Sequence, residues 1–497
     1  MEGSSAPRSP NARYWSPLGM LFNSPAFAAF FPVVTALYFL LPHKLRWLLL
    51  LGSSCVFYMT FVPKYILILF GLIALDYTTG LWIERSVGRR RKAWLTASLL
   101  ANIGVLAYFK YWTFFDENLV QLARALHLDY STKVLALVLP VGLSFHTFQS
   151  MAYTIEVYRN RQKAERHLGI YALYVLFYPQ LVAGPIERPQ NLLPQFRERH
   201  RFEYDRVVDG LRLMLGGFLK KIVVADRLAV VVNEVYGHPR AHQGPALAVA
   251  TVFFAIQIFC DFSGYTDIAR GAARVMGFEL MVNFDRPYAA RSIAEFWRRW
   301  HISLSSWFRD YLYIPLGGNR VSRLRKCLNL MLVFLISGFW HGANWTFLAW
   351  GGLHGLYLVC GEIGGSWRDG IHQKLEVSAV GRLLQMAFTF LLVSVAWIFF
   401  RANTMGDATY VLTHLGWGWR SARESIGGMG RSPRDLLIDM AVIAALETVH
   451  ALQSRRRIRA RLTDMNKGAR WAIYYACCLA IGMLVRMKPQ QFIYFQF

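Results

Sequence analysis

The residues with the clearest chemical potential are histidines that lie inside apolar sequence. His341 lies within LNLMLVFLISGFWHGANW (residues 328–345), which has the composition of a membrane span up to Trp340. A neutral imidazole offers one hydrogen-bond donor and one acceptor, and it can take up a proton during a reaction. An ionisable group deep in a bilayer is costly and usually faces the protein interior or a water-filled cavity. His341 is therefore either a general base in a cavity or a packing residue that is hydrogen-bonded to a neighbouring helix.

A second histidine, His301, lies in RSIAEFWRRWHISLSSWFRDYLYIPLGG (residues 291–318). Ser292 opens a capping-box pattern, which predicts one helix that begins here and ends at Pro315. On that helix His301 shares a face with Arg298, three residues earlier. The four arginines and two acids of this stretch exclude an ordinary lipid-exposed span. The helix therefore either lies on the membrane surface with its arginines reaching water, or lines a polar cavity.

A third stretch, FCDFSGYTDIARGAARVMGFELMVNFDRPY (residues 259–288), places acids and then arginines after an apolar segment. Asp261 and Asp267 precede Arg270 and Arg274 at the end of a predicted span. This pattern suits the rim of a polar pocket and ordinary ion pairing at the membrane interface equally well. The sequence leaves both alternatives open.

The elements that must position these residues follow from the distribution of charge. From Cys327 to Cys360, 34 residues contain no Asp, Glu, Lys or Arg. That length is too great for one span, and its glycines permit breaks, so we expect two spans or one span and a re-entrant piece. At about 1.5 Å per residue, His341 lies roughly 20 Å beyond the basic cluster at 319–326. For His354, in the same run, we expect a packing role.

The composition indicates a polytopic membrane protein. The chain has 497 residues, of which 55% are hydrophobic and 17% charged, with a net charge of +25. Several apolar blocks approach the roughly 20 residues needed to cross a bilayer, which excludes a large soluble enzyme. Basic residues accumulate in cytoplasmic loops of membrane proteins, so the positive charge does not call for a nucleic-acid partner. We expect an all-α protein with about 10–12 transmembrane or re-entrant helices.

The apolar segments and the basic clusters predict the topology. Apolar segments lie near 25–41, 46–61, 65–83, 94–114, 134–155, 168–184, 245–262, 328–345, 346–361, 381–400, 436–452 and 470–486. The basic clusters that we expect on the cytoplasmic side are at 85–92, 159–166, 319–326 and 454–460. Segment 168–184 lies between basic stretches and is predicted to be re-entrant. Segment 206–235 is predicted to be an interfacial amphipathic helix.

The usual signatures of soluble enzymes are missing from the sequence. There is no G-x-S-x-G, no P-loop, no H-E-x-x-H and no cluster with metal-ligand spacing. We therefore expect no metal and no permanently bound cofactor. Acyl transfer from an activated thioester to an alcohol remains compatible, because it needs a general base for the hydroxyl, positioning and the exclusion of water.

Several long motifs resemble the membrane-bound O-acyltransferase (MBOAT) family, and in particular its bacterial polysaccharide branch of the alginate O-acetyltransferase type. The similar stretches are FWRRWHISLSSWFRDYLYIPLGGNR (296–320), SGFWHGANWTFLAWGGLHG (337–355), VGLSFHTFQSMAYTIEVYR (141–159), PQLVAGPIERP (179–189), CDFSGYTDIARG (260–271) and FIYFQF (492–497). The resemblance covers most of 20–497. We divide the chain into a polar N-terminal tail (1–20) and a single membrane domain (21–497).

The resemblance implies a ring of transmembrane helices around a funnel or tunnel. It implies that His341 is the catalytic general base and that His301 is a second catalytic histidine that binds or polarises the acyl donor. Residues flanking the two histidines would contact substrate: Arg298, Arg309, Asp310, Trp340 and Asn344. The donor would be acetyl-CoA from the cytoplasm, and the protein would lie in the bacterial inner membrane in contact with lipids. Its partners would be periplasmic acetyltransferases or other polysaccharide-modification proteins of alginate-type systems.

The sequence leaves two other functions open. One is D-alanyl transfer to teichoic acid, which would use an acyl carrier protein as donor. The other is a polysaccharide or lipid transporter whose buried histidines relay protons. The sequence does not distinguish the final acceptor, the acyl chain length or the oligomeric state.

Overall fold

The computed structural model describes residues 19–128, 140, 142–182, 184–455, 462–485 and 492–493. Several predicted features lie partly outside these residues. They are the N-terminal tail up to residue 18, the first part of the apolar segment at 134–155, the end of that at 470–486, single residues of the stretches 141–159 and 179–189, most of the basic cluster at 454–460, and the last four residues of FIYFQF. The described residues form α-helices with short 3₁₀ and π segments and no strand. They therefore agree with the predicted all-α fold.

The chain divides into two compact units. The first consists of described residues up to Val207 together with Ala272–Leu280, and the second of Val208–Gly271 and Met281–Ile493. The prediction of a single membrane domain over 21–497 stays a prediction.

The helices up to residue 195 belong to the first unit. They are α1 (Pro25–Leu40), α2 (His43–Met59), α3 (Ile66–Arg85), α4 (Gly88–Leu106), α5 (Trp112–Ala125), α6 (Leu143–Tyr158), α7 (Leu168–Leu176), α8 (Tyr178–Leu181) and α9 (Pro189–Gln195). Helix α7 has nine residues and is about 13 Å long, too short to cross a bilayer. It breaks at Phe177 before α8, which is the geometry expected of the predicted re-entrant segment.

The later helices belong to the second unit, except that α10 and α12 contribute residues to both. They are α10 (Tyr204–Phe218), α11 (Asp226–Gly237), α12 (Gly244–Met276), α13 (Ile293–Arg299), α14 (Ile302–Phe308), α15 (Arg323–His341), α16 (Trp345–Glu376), α17 (Ala379–Arg401), α18 (Met405–His414), α19 (Ala422–Gly427), α20 (Pro433–Arg455) and α21 (Lys467–Leu484). Short π-helical segments continue α4, α10 and α14 at Ala107–Tyr111, Leu219–Ala225 and Arg309–Tyr313.

Four helical stretches of the described residues are long and apolar enough to cross a membrane. They are Pro63–Arg85, Gly88–Ala125, Gly244–Met276 and Ala379–Arg401. Each contains one of the apolar segments that the sequence predicts as a span. The predicted multi-pass membrane architecture is therefore supported at these four places.

Helices α15 and α16 form an antiparallel hairpin through the uncharged run. A β-carbon on Gly338 would lie 2.3 Å from the Phe347 carbonyl oxygen, and one on Gly351 would lie 2.3 Å from that of Phe334. The two backbones therefore touch, and only glycine fits at these positions. The predicted break is confirmed, since α15 ends at His341 and α16 begins at Trp345. The expectation of two spans, or of one span and a re-entrant piece, stays a prediction, because neither helix is among the four candidate spans.

The predicted continuous helix over 292–314 is wrong at its centre. Ser292 caps α13 as expected, since its side chain accepts the Glu295 N–H at 3.2 Å. The helix then ends at Arg299, Trp300 is extended, and His301 adopts a left-handed backbone with φ +43° before α14 begins. His301 and Arg298 therefore do not share one helical face. Phe296, Trp300, Leu304 and Trp307 have the spacing of one helical face, and all are buried although two short helices and a break replace the single helix.

The predicted interfacial helix over 206–235 is also corrected. Its first part, α10, is amphipathic, but the π segment and α11 are largely buried within the second unit. Lys221 is 1% exposed and pairs with Asp226 at 2.9 Å and with Asp261 at 2.7 Å. The charges that suggested a surface helix instead neutralise one another inside the protein.

Candidate functional site

His341 lies at the tip of the α15–α16 hairpin, inside an aromatic enclosure. It is the last residue of α15 and is 6% exposed. The centroid of its ring lies 4.8 Å from that of Trp340, 5.0 Å from that of Trp350 and 5.4 Å from that of Phe400. Because Trp350 and Phe400 belong to α16 and α17, three helices enclose the imidazole. Such walls exclude bulk water, which strengthens electrostatic interactions between the ring and a substrate.

Two further predicted residues lie at the same tip. Trp340 is 5% exposed and packs edge to face against the His341 ring. Asn344 caps α16, because its side-chain oxygen accepts the Thr346 N–H at 3.0 Å, while its amide donates to the Asn403 carbonyl at 3.4 Å. These contacts give Asn344 a structural task, which is to hold the turn that follows His341.

His301 lies in the break between α13 and α14 and is 1% exposed. Its ring stands edge to face against Phe262, with the ring centroids 4.7 Å apart. Asn283 fixes the break from outside: its carbonyl accepts the Ile302 N–H at 2.9 Å, and its side-chain oxygen accepts the Ser303 N–H at 3.3 Å. A left-handed backbone at a non-glycine residue costs about 1–3 kcal/mol and persists where the surroundings enforce it, often at functional sites.

His301 lies outside the four candidate spans, and its burial has an electrostatic consequence. Loss of hydration disfavours the imidazolium form and lowers the pKa of His301 to about 3. The ring is therefore neutral at physiological pH, and it can polarise a bound group only by hydrogen bonding.

A cavity of about 1160 Å³ lies beside the hairpin, within the second unit, between α13, α14, α15, α16 and α17. Along α15 the lining residues follow one face from Lys326 through Leu330 and Phe334 to Ser337, a length of about 16 Å. The lining includes five cationic side chains, namely Arg291, Arg298, Arg309, Lys326 and Arg368. Most of the remaining wall is apolar, including Leu304, Val333, Leu384 and Leu392. Of these cations, Arg291, Arg309 and Lys326 pair with the carboxylates of Glu376, Asp310 and Glu362. The cavity thus combines cationic side chains with an apolar wall along α15 and α17, which we call the apolar slot.

The cavity brings together only part of the predicted site. Arg298 and Arg309 both line it, although they belong to different helical segments. Asp310 pairs with Arg309, with 2.8 Å between Nε and Oδ1, but does not line the cavity. His341 is not a lining residue either, and the nearest lining residue on its helix is Ser337, one turn earlier.

The acids and arginines of the 259–288 stretch are explained by ion pairing. Asp267 pairs with Lys220 at 2.7 Å and with Arg270 at 3.3 Å. Asp261 pairs with Lys221 and also accepts the Ile493 N–H at 2.9 Å. None of these residues lines the cavity. Of the two alternatives left open by the sequence, the structure therefore favours ion pairing over the rim of a pocket.

His354 and Trp297 form a pair that the sequence did not predict. The Trp297 indole N–H donates to Nδ1 of His354 at 3.2 Å, and the His354 ring is fully buried. This is a packing contact of the kind expected for His354, but Trp297 also lines the cavity. The sequence offers no signal for this contact beyond the aromatic character of Trp297.

Comparisons with known proteins identify the family. Residues 94–398 match the profile of the MBOAT, membrane-bound O-acyltransferase family. The chain is 39% identical to the probable alginate O-acetylase AlgI of Pseudomonas aeruginosa, covering 78% of this chain and 73% of that protein. It is 35% identical to the peptidoglycan O-acetyltransferase of Helicobacter pylori, covering 79% of each. It is 31% identical to the teichoic acid D-alanyltransferase of Streptococcus thermophilus, covering 45% of this chain and 56% of that protein.

The family match extends over more than half of the chain and includes the α13–α14 segment, the hairpin and most of α17. It agrees with the helical architecture and the apolar candidate spans described above. The chain therefore belongs to the membrane-bound O-acyltransferase family and is an O-acyltransferase with a multi-pass membrane fold.

Proposed function

We propose that this O-acyltransferase moves an acetyl group from a cytoplasmic donor through the membrane for O-acetylation of an exported polysaccharide such as alginate. The observation that carries this proposal is the position of His341. It is a buried imidazole at a hairpin tip, one helical turn beyond a cavity with a cationic group and an apolar slot. The named relatives that match over about three quarters of the chain act on alginate or peptidoglycan, which are both polysaccharide-containing acceptors.

The donor in this proposal is acetyl-CoA. Its phosphates suit the cationic part of the cavity, since guanidinium groups form charge-assisted hydrogen bonds with phosphate oxygens. Arg298 and Arg309 are the proposed phosphate contacts, and both line the cavity. The pantetheine arm and the acetyl group would occupy the apolar slot that follows α15 towards Ser337.

The transfer step uses the imidazole as a general base. His341 accepts the proton of the acceptor hydroxyl while the hydroxyl oxygen attacks the thioester carbonyl carbon. The tetrahedral intermediate then collapses, the carbon–sulfur bond breaks and the proton passes to the thiolate, which leaves free CoA and an acetyl ester. His301, as a neutral hydrogen-bonding group, polarises the donor carbonyl, and the aromatic walls limit hydrolysis by water.

The place of the reaction follows from the donor and the acceptor. An exported polysaccharide meets the protein on the periplasmic face of the bacterial inner membrane, whereas acetyl-CoA is cytoplasmic. We propose that periplasmic acetyltransferases or other polysaccharide-modification proteins receive the acetyl group and complete the modification. Membrane lipids surround the spans, and the protein needs no resident cofactor in this scheme.

A second candidate is D-alanyl transfer from a carrier protein to teichoic acid. The specific observation in its favour is the 31% identity to the teichoic acid D-alanyltransferase. That match covers 45% of this chain, whereas the alginate O-acetylase match covers 78%. Acetyl transfer to a polysaccharide is therefore the function that we favour.

The test is transfer of label from [acetyl-¹⁴C]CoA in membranes that contain the protein, with and without a periplasmic extract. We expect label on polysaccharide or on a periplasmic protein with the wild type, and a loss of about 10²–10⁴-fold with His341→Ala. A matched His238→Ala variant, which changes a histidine outside the site, should retain the activity. Equal transfer by wild type and His341→Ala would contradict the general-base assignment, and transfer only from a D-alanyl carrier protein would favour the second candidate.

A further inference from the structure

The aromatic motif at 492–497 has no task in the proposed function, yet its two described residues are deeply buried. Phe492 is 0% exposed and Ile493 is 1% exposed. Both belong to the second compact unit, as does His301. The contacts of these two residues lead from a buried ion pair to the ring of His301.

The buried ion pair holds this segment by its backbone. Oδ2 of Asp261 on α12 accepts the Ile493 N–H at 2.9 Å, and Oδ1 of the same carboxylate pairs with the Lys221 ammonium at 2.7 Å. The Lys221 ammonium also pairs with Asp226 at 2.9 Å. A hydrogen bond to an ionised acceptor is stronger than one between neutral groups, and the separation of a buried charge pair is costly. The backbone of Ile493 is therefore held firmly against α12.

Aromatic rings continue from this segment to His301. The centroid of the Phe492 ring lies 4.3 Å from that of Tyr265 and 6.0 Å from that of Phe262, both on α12. The Phe262 ring in turn stands edge to face against His301 at 4.7 Å and against Phe284 at 5.0 Å. Edge-to-face pairs at such distances are favourable. Phe262 is thus in contact with both Phe492 and the imidazole.

The orientation of the His301 ring depends on these aromatic neighbours. The hydrogen bonds of Asn283 fix the backbone of the break, and the packing around the imidazole must fix the ring. Because protein interiors are close-packed, the Phe262 ring keeps its place only while the space beside it is filled. Removal of the Phe492 ring would leave a cavity into which Phe262 can move, and His301 would then lose its edge-to-face partner.

We propose that Phe492 is a positioning residue for His301 and that it acts through Phe262. Phe492 does not line the donor cavity, so its effect on the reaction is indirect. This inference rests on the proposed function, since it assumes that His301 polarises the carbonyl of the acyl donor. Because a displacement of about 1 Å in a reacting constellation can cost on the order of 10²-fold in rate, a small shift of the imidazole is measurable.

The test is a double-mutant cycle with the full-length protein in membranes. Initial rates of transfer from [acetyl-¹⁴C]CoA, with periplasmic extract present and normalised to the amount of protein, give kcat and KM. We expect Phe492→Ala to lower kcat about tenfold and to leave KM for acetyl-CoA within about twofold of the wild type. In the His301→Asn background, where the imidazole is absent, Phe492→Ala should lower kcat by less than about twofold.

This lack of additivity separates positioning from general packing. A substitution that merely loosens the protein would lower kcat by the same factor with or without the imidazole, because the effects of independent sites multiply in the rate. Phe492→Leu keeps more of the side-chain volume and should therefore retain more activity than Phe492→Ala. Size-exclusion chromatography in detergent reports folding. If Phe492→Ala does not fold, Phe492→Leu takes its place in the cycle, with the same lack of additivity expected.

Ile493→Ala is the matched control in the same segment. It removes a buried apolar side chain, but it keeps both the N–H that binds Asp261 and the ring of Phe492. Its kcat should stay within about twofold of the wild-type value, since the rings that lead to His301 remain in place. Equal losses in Ile493→Ala and Phe492→Ala would show that burial of the segment matters and not the ring contact, which would overturn the inference.

The positioning role and the proposed function can fail separately. If the wild type transfers acetyl and His341→Ala does not, but Phe492→Ala lowers kcat equally in both backgrounds or not at all, the positioning role fails while the proposed function stands. If the wild type transfers no acetyl group from acetyl-CoA, the proposed function fails and the inference fails with it.

Discussion

His341 and His301 are both buried, but their backbones are positioned in different ways. Both regions bury an imidazole against aromatic rings, at 6% and 1% exposure. His341 ends a regular helix of 19 residues, and direct backbone contact between Gly338 and Gly351 sets the hairpin around it. His301 instead joins two helices of seven residues, and its left-handed backbone is held by Asn283. One imidazole is thus placed by regular packing and the other by a local distortion.

This difference indicates a division of tasks. A histidine at a helix end keeps ordinary backbone geometry, and its ring can approach a substrate with small changes of side-chain rotamer. A histidine in a strained break is held in one orientation by the residues around it. We therefore expect His341 to act as the group that exchanges a proton, and His301 to act as a fixed hydrogen-bonding group.

The replacement His301→Asn should separate the two roles with the greatest loss of activity. Asparagine accepts a left-handed backbone more readily than most residues, so the break should persist without the imidazole. We expect kcat for acetyl transfer to fall by on the order of 10²-fold, which is typical for loss of a hydrogen bond to developing charge. Because burial lowers the pKa of His301 to about 3, its ring should remain neutral from pH 5 to pH 9. The measurement is the ratio of wild-type to variant rates across that range.

A ratio that is constant with pH supports a neutral His301. The sign follows from the lowered pKa: protonation of the folded protein at this site occurs only when the pH falls towards 3, below the tested range. His301→Gly is the control for the backbone, since glycine also adopts the left-handed region without strain. A ratio that changes with an apparent pKa between 5 and 9 would show that His301 exchanges a proton and would remove the distinction between the two histidines.

The comparison also explains which parts of the structure could be predicted from the sequence. The hairpin was predictable because 34 uncharged residues exceed one span and contain glycines where the helices touch. The break at His301 was not, since Phe296, Trp300 and Leu304 keep helical spacing across it. Periodicity records which side chains are buried, and two short helices bury the same residues as one long helix. The carbonyl and amide of Asn283 that stabilise the break lie almost twenty residues earlier in the chain.

The cavity was predictable only in part, for a related physical reason. Arg298 and Arg309 are predicted from their position beside His301 in the sequence, and both line the cavity. Lys326 and Arg368 also line the cavity, but they belong to helices that are distant in the sequence. Nothing in the sequence around Trp297 indicates its hydrogen bond with His354. The prediction of an interfacial helix over 206–235 is wrong in its second half, because the partners that neutralise its charges, such as Asp261 for Lys221, are brought close only by the fold. The sequence around one residue of such a pair does not show which distant residue is its partner.

A smaller effect is expected from the two arginines that flank His301. The double variant Arg298→Ala/Arg309→Ala should raise KM for acetyl-CoA about tenfold. Each substitution removes a charge-assisted contact with phosphate, and solvent weakens such contacts. The value of kcat should change little, since these residues lie away from the reacting atoms. Initial rates over a range of donor concentrations provide the measurement. Arg320→Ala is the matched control, because Arg320 is exposed in the same stretch and does not line the cavity. Normal donor affinity in the double variant would remove both arginines from the donor site.

The smallest expected effect concerns the packing that places His341. A β-carbon at Gly351 would lie 2.3 Å from the Phe334 carbonyl oxygen, whereas one at Gly352 would meet only the Leu335 side chain at 3.7 Å. Gly351→Ala should therefore force α15 and α16 apart and cost about 1–3 kcal/mol of stability. Gly352→Ala should be neutral or stabilise by up to about 1 kcal/mol, because alanine is the better helix former. Thermal unfolding in detergent compares the two variants.

The same pair of variants tests whether regular packing really positions His341. If the contact between Gly338 and Gly351 sets the hairpin tip, Gly351→Ala should lower kcat even at temperatures where the variant remains folded. His301, held by Asn283 and not by the hairpin, should not compensate for the displacement. Unchanged kcat in a folded Gly351→Ala variant would mean that the Asn344 cap and the rings of Trp350 and Phe400 are sufficient to place the imidazole. In that case both histidines would owe their positions to local contacts, and the contrast between the two regions would be lost.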